Sequence, residues 1–220
     1  MKKVIVFGST QTAELANFYL QEDSDFEVEA FCVNGVNIET SQFCGKPILP
    51  FEDLIELRPP EDFLLFAPMM AGKVNGNRLD VFNQGKQLGY KFASYISSKA
   101  TILTDKIGSN SFILESNTIQ PFVEIGDNCV LWSGNHIGHH SNIGSSTFIT
   151  SHCVISGNTV MKERCYLGVN STLTDQCILE EGVMITMGSV LTTKKTEAWS
   201  VYSGNPARKH PKLTSHQLLK

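Results

Sequence analysis

One periodicity dominates the second half of the chain. From Ile107 every sixth residue is aliphatic: Ile113, Ile119, Ile125, Leu131, Ile137, Ile143, Ile149, Ile155, Met161, Leu167, Leu173, Leu179, Ile185 and Leu191. Ile, Leu, Val and Met make up about a quarter of the residues, so this unbroken run has a chance on the order of one in a billion. Four residues after each anchor but the last stands a small or medium residue, from Ser111, Asn117, Val123 and Cys129 through to Cys177, Val183 and Ser189. A period of six fits neither a coiled coil nor an amphipathic helix, which repeat near 3.5 and 3.6 residues. One large and one small inward residue per hexad describe a short face of a solenoid, and stacked coils then bury a continuous aliphatic column. Glycine directly follows the anchor at 108, 126, 138, 144 and 168, where the backbone is expected to turn.

Before residue 100 the pattern is different. Lys3–Phe7 reads as a strand ending at Gly8, Thr12–Gln21 as a helix, Phe26–Val33 as a strand and Phe51–Leu57 as a short helix. Phe63–Ala67 is a third strand, Arg78–Leu88 a helix closed by Gly89, and Tyr90–Ile96 a fourth strand. Pro47 and Pro50 read as punctuation before the short helix. Strands alternating with helices predict a small parallel sheet with crossover helices, a Rossmann-like unit. The predicted organisation is an α/β Rossmann-like domain over 1–98, an all-β parallel β-helix over 99–193, and a tail over 194–220 that crosses the last coil.

The net charge of −4 and a pI near 5.9 argue against a protein that lives on phosphate contacts to nucleic acid. No apolar run approaches the roughly 18 residues of a membrane span, and the apolar stretch after Met1-Lys2-Lys3 is too short for a signal peptide. The expected setting is the cytoplasm. The six cysteines show no metal-ligand spacing and are expected to be buried thiols.

Four histidines fall within a short stretch: His136, His139, His140 and His152. The segment Ile137-Gly-His-His-Ser-Asn-Ile143-Gly resembles the Ile-Glu-His-Asp/Glu-Cys-x-Ile-Gly stretch of the bacterial sugar O- and N-acyltransferases related to sialic acid O-acetyltransferase. Ser156-Gly157-Asn158, Leu167-Gly168-Val169-Asn170-Ser171 and Val201-Tyr-Ser-Gly-Asn-Pro-Ala-Arg208 extend the likeness. The resemblance implies a Rossmann-like domain followed by a left-handed β-helix with three hexads per coil. The fifteen hexads then make five coils, and a prism roughly 24 Å tall. It also implies a homotrimer with acetyl-CoA as co-substrate in a groove between neighbouring β-helices, and no metal.

By the same resemblance His139 is the general base. Acyl transfer from a thioester requires removal of the acceptor's proton as the new bond forms, and an imidazole suits that task at neutral pH. The developing oxyanion needs a donor, for which a backbone N–H serves. The family places Asp or Glu directly after this histidine; here His140 holds that catalytic position, so the group that orients His139 is left open. His152 is the competing base. Carried over by position, Gly157, Gly168, Val169 and Gly188 border the donor's pantetheine arm, and Arg208 with Lys209 meet its phosphates.

For the acceptor, relatives use a Gly-rich turn after the first strand. Here Gly8-Ser-Thr-Gln-Thr-Ala13 keeps only the first glycine, with Ser9 and Thr10 available for a phosphate at a helix N-terminus. Asn34 stands where an acidic residue is expected near the nucleoside. Without a complete G-x-G-x-x-G fingerprint, NAD binding is not expected. The leading expectation is an acetyl-CoA-dependent N-acetyltransferase acting on a nucleotide-linked amino sugar for surface polysaccharide, with a sugar or sialic acid O-acetyltransferase as the close alternative. Two other classes compete. A γ-carbonic-anhydrase-like enzyme would hold zinc on histidines across a subunit interface. An inactive trimeric scaffold is kept open by the missing carboxylate at 140.

Overall fold

The computed structural model describes residues 1–220. The first part is a six-stranded sheet built from β1 (Lys2–Phe7), β2 (Phe26–Val33), β3 (Gln42–Phe43), β4 (Lys46–Pro50), β5 (Leu64–Phe66) and β6 (Lys91–Phe92), in the order β3-β4-β2-β1-β5-β6. All pairings are parallel except the β3–β4 hairpin. The connecting helices are α1 (Gln11–Glu22), the single turn α2 (Leu54–Leu57) and α3 (Gly76–Gln87). Val4, Ile5 and Val6 are fully buried, as an apolar run between crossover helices must be. The Pro47–Pro50 segment is a strand and not merely a break: its prolines sit near the two ends, leaving Ile48 and Leu49 to pair with Phe31 and Cys32. The expected strand Tyr90–Ile96 divides in two, because Lys91–Phe92 joins this sheet while Tyr95–Ile96 begins the next.

From Tyr95 the chain winds into a triangular prism of two-residue parallel strands that fits a left-handed β-helix of hexapeptide repeats. Coils stack with an 18-residue offset, Ile119 on Ile137 and Ile125 on Ile143. A first face carries Tyr95–Ile96, Phe112–Ile113, Val130–Leu131, Phe148–Ile149, Tyr166–Leu167 and Met184–Ile185. The second carries Thr101–Ile102, Thr118–Ile119, His136–Ile137, Val154–Ile155, Thr172–Leu173 and Val190–Leu191. The third carries Glu124–Ile125, Asn142–Ile143, Val160–Met161 and Ile178–Leu179. The anchors from Ile113 to Leu191 form one core cluster, and every residue of the small register from Ser111 to Ser189 is buried.

The prism begins before Ile107. Ile102 and Ile107 both pack on its core, but they are five residues apart, so a strict hexad count loses phase there. At the far end Ser200–Gly204 pairs with Met184–Ile185 and then turns back through an antiparallel strand, Ala207–Thr214. The tail therefore completes the first face.

The glycines after the anchors are not the turns. The turns lie two residues further on, where Asn110, Ser116, Phe122, Asn128, Gly134, His140, Ser146, His152, Asn158, Arg164, Asn170, Gln176, Gly182 and Gly188 all have φ between 54° and 81°. The post-anchor glycines serve close approach instead: a Cβ on Gly168 would lie 2.4 Å from the Met187 nitrogen of the next coil, and one on Gly126 2.5 Å from Ser145 Oγ.

The α/β unit packs on the first face. The outward side chains there, Tyr95, Phe112, Val130 and Phe148, are buried in one cluster with Val4, Phe31 and Phe66. Arg78 of α3 is fully buried and donates to the carbonyls of Asn128, Ser146 and Met69. Asp23 accepts from the Tyr95 hydroxyl at 2.7 Å and from Ser98 N–H at 2.9 Å, and these hydrogen bonds hold its carboxyl down at about 2. With the first face covered, the second and third faces and the corner between them stay open to solvent.

Cys32, Cys129, Cys153, Cys165 and Cys177 are buried, and desolvation pushes the thiols of Cys129 and Cys165 up to about 11 and 12. Cys44 alone is exposed. Native protein treated with iodoacetamide is expected to take one label rapidly, at Cys44, and to take five more only after unfolding. Rapid labelling of a second cysteine would mean that solvent reaches the prism core.

Candidate active site at a prism corner

His139 and His140 lie at the corner between the second and third faces, on the side away from the α/β unit. The anchor Ile137 points inward and Gly138 is buried, so His139 and His140, the second and third residues after the anchor, swing round the bend and are both exposed. His140 occupies the left-handed position with φ 57°. The His139 N–H donates to Gln120 Oε1 at 2.8 Å, and its carbonyl accepts from Asn158 N–H at 2.9 Å, which fixes the backbone under the imidazole.

The two imidazoles meet edge to face, with Nδ1 of His139 3.1 Å from Nδ1 of His140. His140 in turn lies against the Phe122 ring at a centroid distance of 4.6 Å. With Nδ1 committed to its neighbour, the Nε2–Cε1 edge of His139 faces Gly157 in the next coil. A Cβ on Gly157 would stand 2.9 Å from both atoms, so the bare backbone there is what makes room for the His139 ring. The Gly157 N–H has no hydrogen-bond partner.

The other residues expected on the donor side lie elsewhere. Val169 and Gly188 belong to the corner between the first and second faces, where Val169 is 39 % exposed and Gly188 has open space around it. Gly168, beside them, packs on the next coil. His152 also sits at that corner, with Nδ1 2.5 Å from where a Cβ on Gly134 would lie, so its ring packs over that glycine and does not join His139. Arg208 is exposed without an acidic partner, whereas Lys209 pairs with Glu197. No group of three His, Cys, Asp or Glu side chains converges as a metal-ligand set.

A second concavity lies at the C-terminal ends of the parallel strands in the α/β unit. A cavity of about 660 Å³ is lined by Gly8, Ser9 and Thr10 together with Asn37, Glu39 and Met69. Gly8 has φ 120°, a conformation that favours glycine, and Thr10 is the N-cap of α1. Asn34 is exposed and off this lining; Asn37 and Glu39, three and five residues on, stand there instead. No repeat or motif in the sequence singles them out; they follow the short helical turn at Gly35–Asn37, which sets where they stand.

Residues 106–139 match the family model described as bacterial transferase hexapeptide (six repeats). No match emerged among curated protein sequences. Among solved structures, the acetyltransferase domain of PglB from Neisseria gonorrhoeae is similar with a TM-score of 0.80 at 19% identity, over 96% of this chain and 100% of that one. The fold is that of hexapeptide-repeat sugar acyltransferases. PerB from Caulobacter crescentus, solved with CoA and GDP-perosamine, matches with a TM-score of 0.81 at 18% identity, over 94% of this chain and 97% of that one. WeeI from Acinetobacter baumannii gives 0.79 at 20%, over 94% and 99%. At these identities the likeness is one of fold, and it spans both halves of this hexapeptide-repeat chain. No helix is long and apolar enough to cross a membrane.

Proposed function

We propose that this protein is an acetyl-CoA-dependent N-acetyltransferase whose acceptor is an amino sugar carried on a nucleotide. The observation that carries this reading is the His139 imidazole, in contact with His140 through Nδ1 and with Nε2 beside the bare Gly157 backbone, on an exposed corner of a hexapeptide-repeat prism. Neighbours of the same fold support it: the PglB domain was solved with acetyl coenzyme A, and PerB with CoA and a nucleotide sugar. The acyl-CoA supplies an activated acyl group. His139 takes the amine proton at Nε2 as the nitrogen closes on the acyl carbon, and returns it to the departing sulfur. The unpaired N–H of Gly157, next to that edge, is the donor for the carbonyl oxygen as it gains charge.

In this reading the α/β unit, residues 1–98, is a Rossmann-like acceptor domain. Its cavity at Gly8, Ser9 and Thr10 receives the nucleotide end. The β-helix over 99–193 carries the chemistry, and the tail over 194–220 brings Arg208 toward the donor's phosphates. The chain works as a homotrimer in the cytoplasm. Two observations favour the trimer. His139 with Gly157, and Val169 with Gly188, stand on different corners of one prism and can border one groove only when a second copy is placed alongside. The free faces also expose Val154 and Val160 by 41 % and 40 %.

The test is incubation with acetyl-CoA and a panel of UDP-, GDP- and dTDP-linked amino and hydroxy sugars, with free thiol and product mass followed together. Gain of one acetyl mass on an amine is the expected result. Transfer to a hydroxyl would make the protein an O-acetyltransferase, and absence of acetyl-CoA binding would overturn the acyl-transfer reading.

A further inference from the structure

The position that follows the corner histidine holds an imidazole here, and the geometry assigns it a task. We propose that His140 is the positioning residue for His139: its Nδ1 accepts the Nδ1–H of His139 and so keeps the lone pair of His139 on Nε2, beside Gly157. This rests on the acyl-transfer reading, both for its consequence in rate and for the choice between the two tautomers that the contact allows, while the tautomer itself is measured without turnover.

The contact permits few arrangements. Two ring nitrogens 3.1 Å apart must have one proton between them. With none, two lone pairs oppose each other; with two, two N–H groups collide. If His140 donates, His139 carries its own proton on Nε2 and offers no base toward Gly157. If His140 accepts, His139 is Nδ1–H and Nε2 is free, while His140 keeps its proton on its solvent-side Nε2. Only the second arrangement survives the reaction, because a His139 that has taken a proton at Nε2 bears N–H on both nitrogens and needs an acceptor at Nδ1. The Phe122 ring, 68 % exposed and itself in a left-handed turn, holds the His140 plane from the outer side.

Nothing else at this corner competes for Nδ1. The preceding coil brings Gln120, Pro121 and Phe122, and the following coil Gly157 and Asn158, none of them titratable. Asp175, one coil further, is paired with Lys194 at 3.2 Å, and Glu124 on the third face is paired with Lys106. His136 stands half-buried on the strand before the corner.

The experiment uses the full chain labelled with 15N-histidine. Ring-nitrogen NMR above pH 8 is expected to show His139 protonated at Nδ1 and His140 at Nε2, assigned by loss of signals in His139→Gln and His140→Gln. The His140→Asn variant supplies an amide oxygen at a turn that Asn adopts readily, so it folds and is expected to retain the His139 tautomer. The His140→Ala variant is expected to lose that preference, and kcat is expected to fall about tenfold to a hundredfold with the acetyl-CoA KM unchanged. His140→Asp is expected to stay active but to lose activity at a pH about one unit higher on the acid side, since a carboxylate favours the protonated imidazole. A wild-type His139 protonated at Nε2, or a His140→Ala protein with wild-type tautomer and kcat, would overturn the proposal. A wild-type protein that turns over no acyl-CoA counts against the acyl-transfer reading, and the tautomer measurement still decides the role of His140.

Discussion

Replacing Arg78 with Met is expected to lower stability by about 3–5 kcal/mol and to separate the unfolding of the α/β unit from that of the prism. The guanidinium is fully buried and has no carboxylate beside it. Its donors are spent on carbonyls and one amide: Nε on Asn128 at 3.1 Å, Nη1 on Met69 at 2.9 Å, and Nη2 on Asn75 Oδ1 at 3.2 Å and Ser146 at 3.1 Å. Burial pulls its pKa down to about 10, which still leaves it charged at neutral pH. Those carbonyls come from two coils of the prism and from the loop before α3, so one side chain satisfies groups on both sides of the interface. Met keeps the stem against Phe148 but leaves buried acceptors unpaired, each worth about 1–3 kcal/mol. Lys reaches fewer of them and is expected to fall between. Urea unfolding followed by far-ultraviolet circular dichroism, with hydrogen exchange mapped to each half, reads the effect. A loss below about 1 kcal/mol with a single retained transition would mean that the aromatic packing on the first face suffices.

Much of this fold is legible in the residues because a solenoid repeats its physics. Each inward anchor faces the same column, so a hexad of aliphatics marks strand, face and coil together. The reading failed where the repeat was broken or where a residue acted through its backbone. The five-residue step from Ile102 to Ile107 hid the first coil from a strict count. Glycine after the anchor looks like a turn because glycine often is one; here its missing Cβ lets coils stack, and the turning residues form a column two places later that is mostly Asn, Ser, His and Gly but also includes Phe122, Arg164 and Gln176. A further signal lay in the outward residues. On the first face they are Phe112, Val130, Phe148 and Tyr166, and on the third Glu124, Asn142, Val160 and Ile178, which already distinguishes the covered face from an open one.

The site was legible in part for the same reason. An offset of 18 residues places Gly157 directly beside His139, and it puts His152 on another corner with Gly134 and Gly188. The His139–His140 contact was not legible, since it depends on one side chain sitting in a left-handed turn. Asn37 and Glu39 were missed because no period governs the loop that carries them. The uncovered corner of the prism holds an imidazole in contact with its neighbour, and this sets the second large expectation.

Truncation of that imidazole, His139→Ala, is expected to lower kcat by about 10²–10⁴ while leaving acetyl-CoA affinity within about twofold. In the proposed mechanism the base acts only as the acceptor's proton leaves, so its loss falls on the chemical step. The proposed donor groove is lined by backbone and by residues of the other corner, which the substitution leaves unchanged. The residue is exposed, and its backbone bonds to Gln120 and Asn158 do not involve the ring, so the variant is expected to melt as the wild type does. The matching control is His152→Ala, which removes a ring packed over Gly134 and is expected to leave kcat within about threefold. The pH dependence separates the two roles further: activity that falls on the acid side in the wild type should become flat there in His139→Ala, because the group whose protonation stops the reaction is gone. Measured side by side, a large loss in His152→Ala with full activity in His139→Ala would move the chemistry to the other corner of the prism. Equal losses in both would mean that His152, brought to the proposed groove by a neighbouring copy, shares the chemistry with His139.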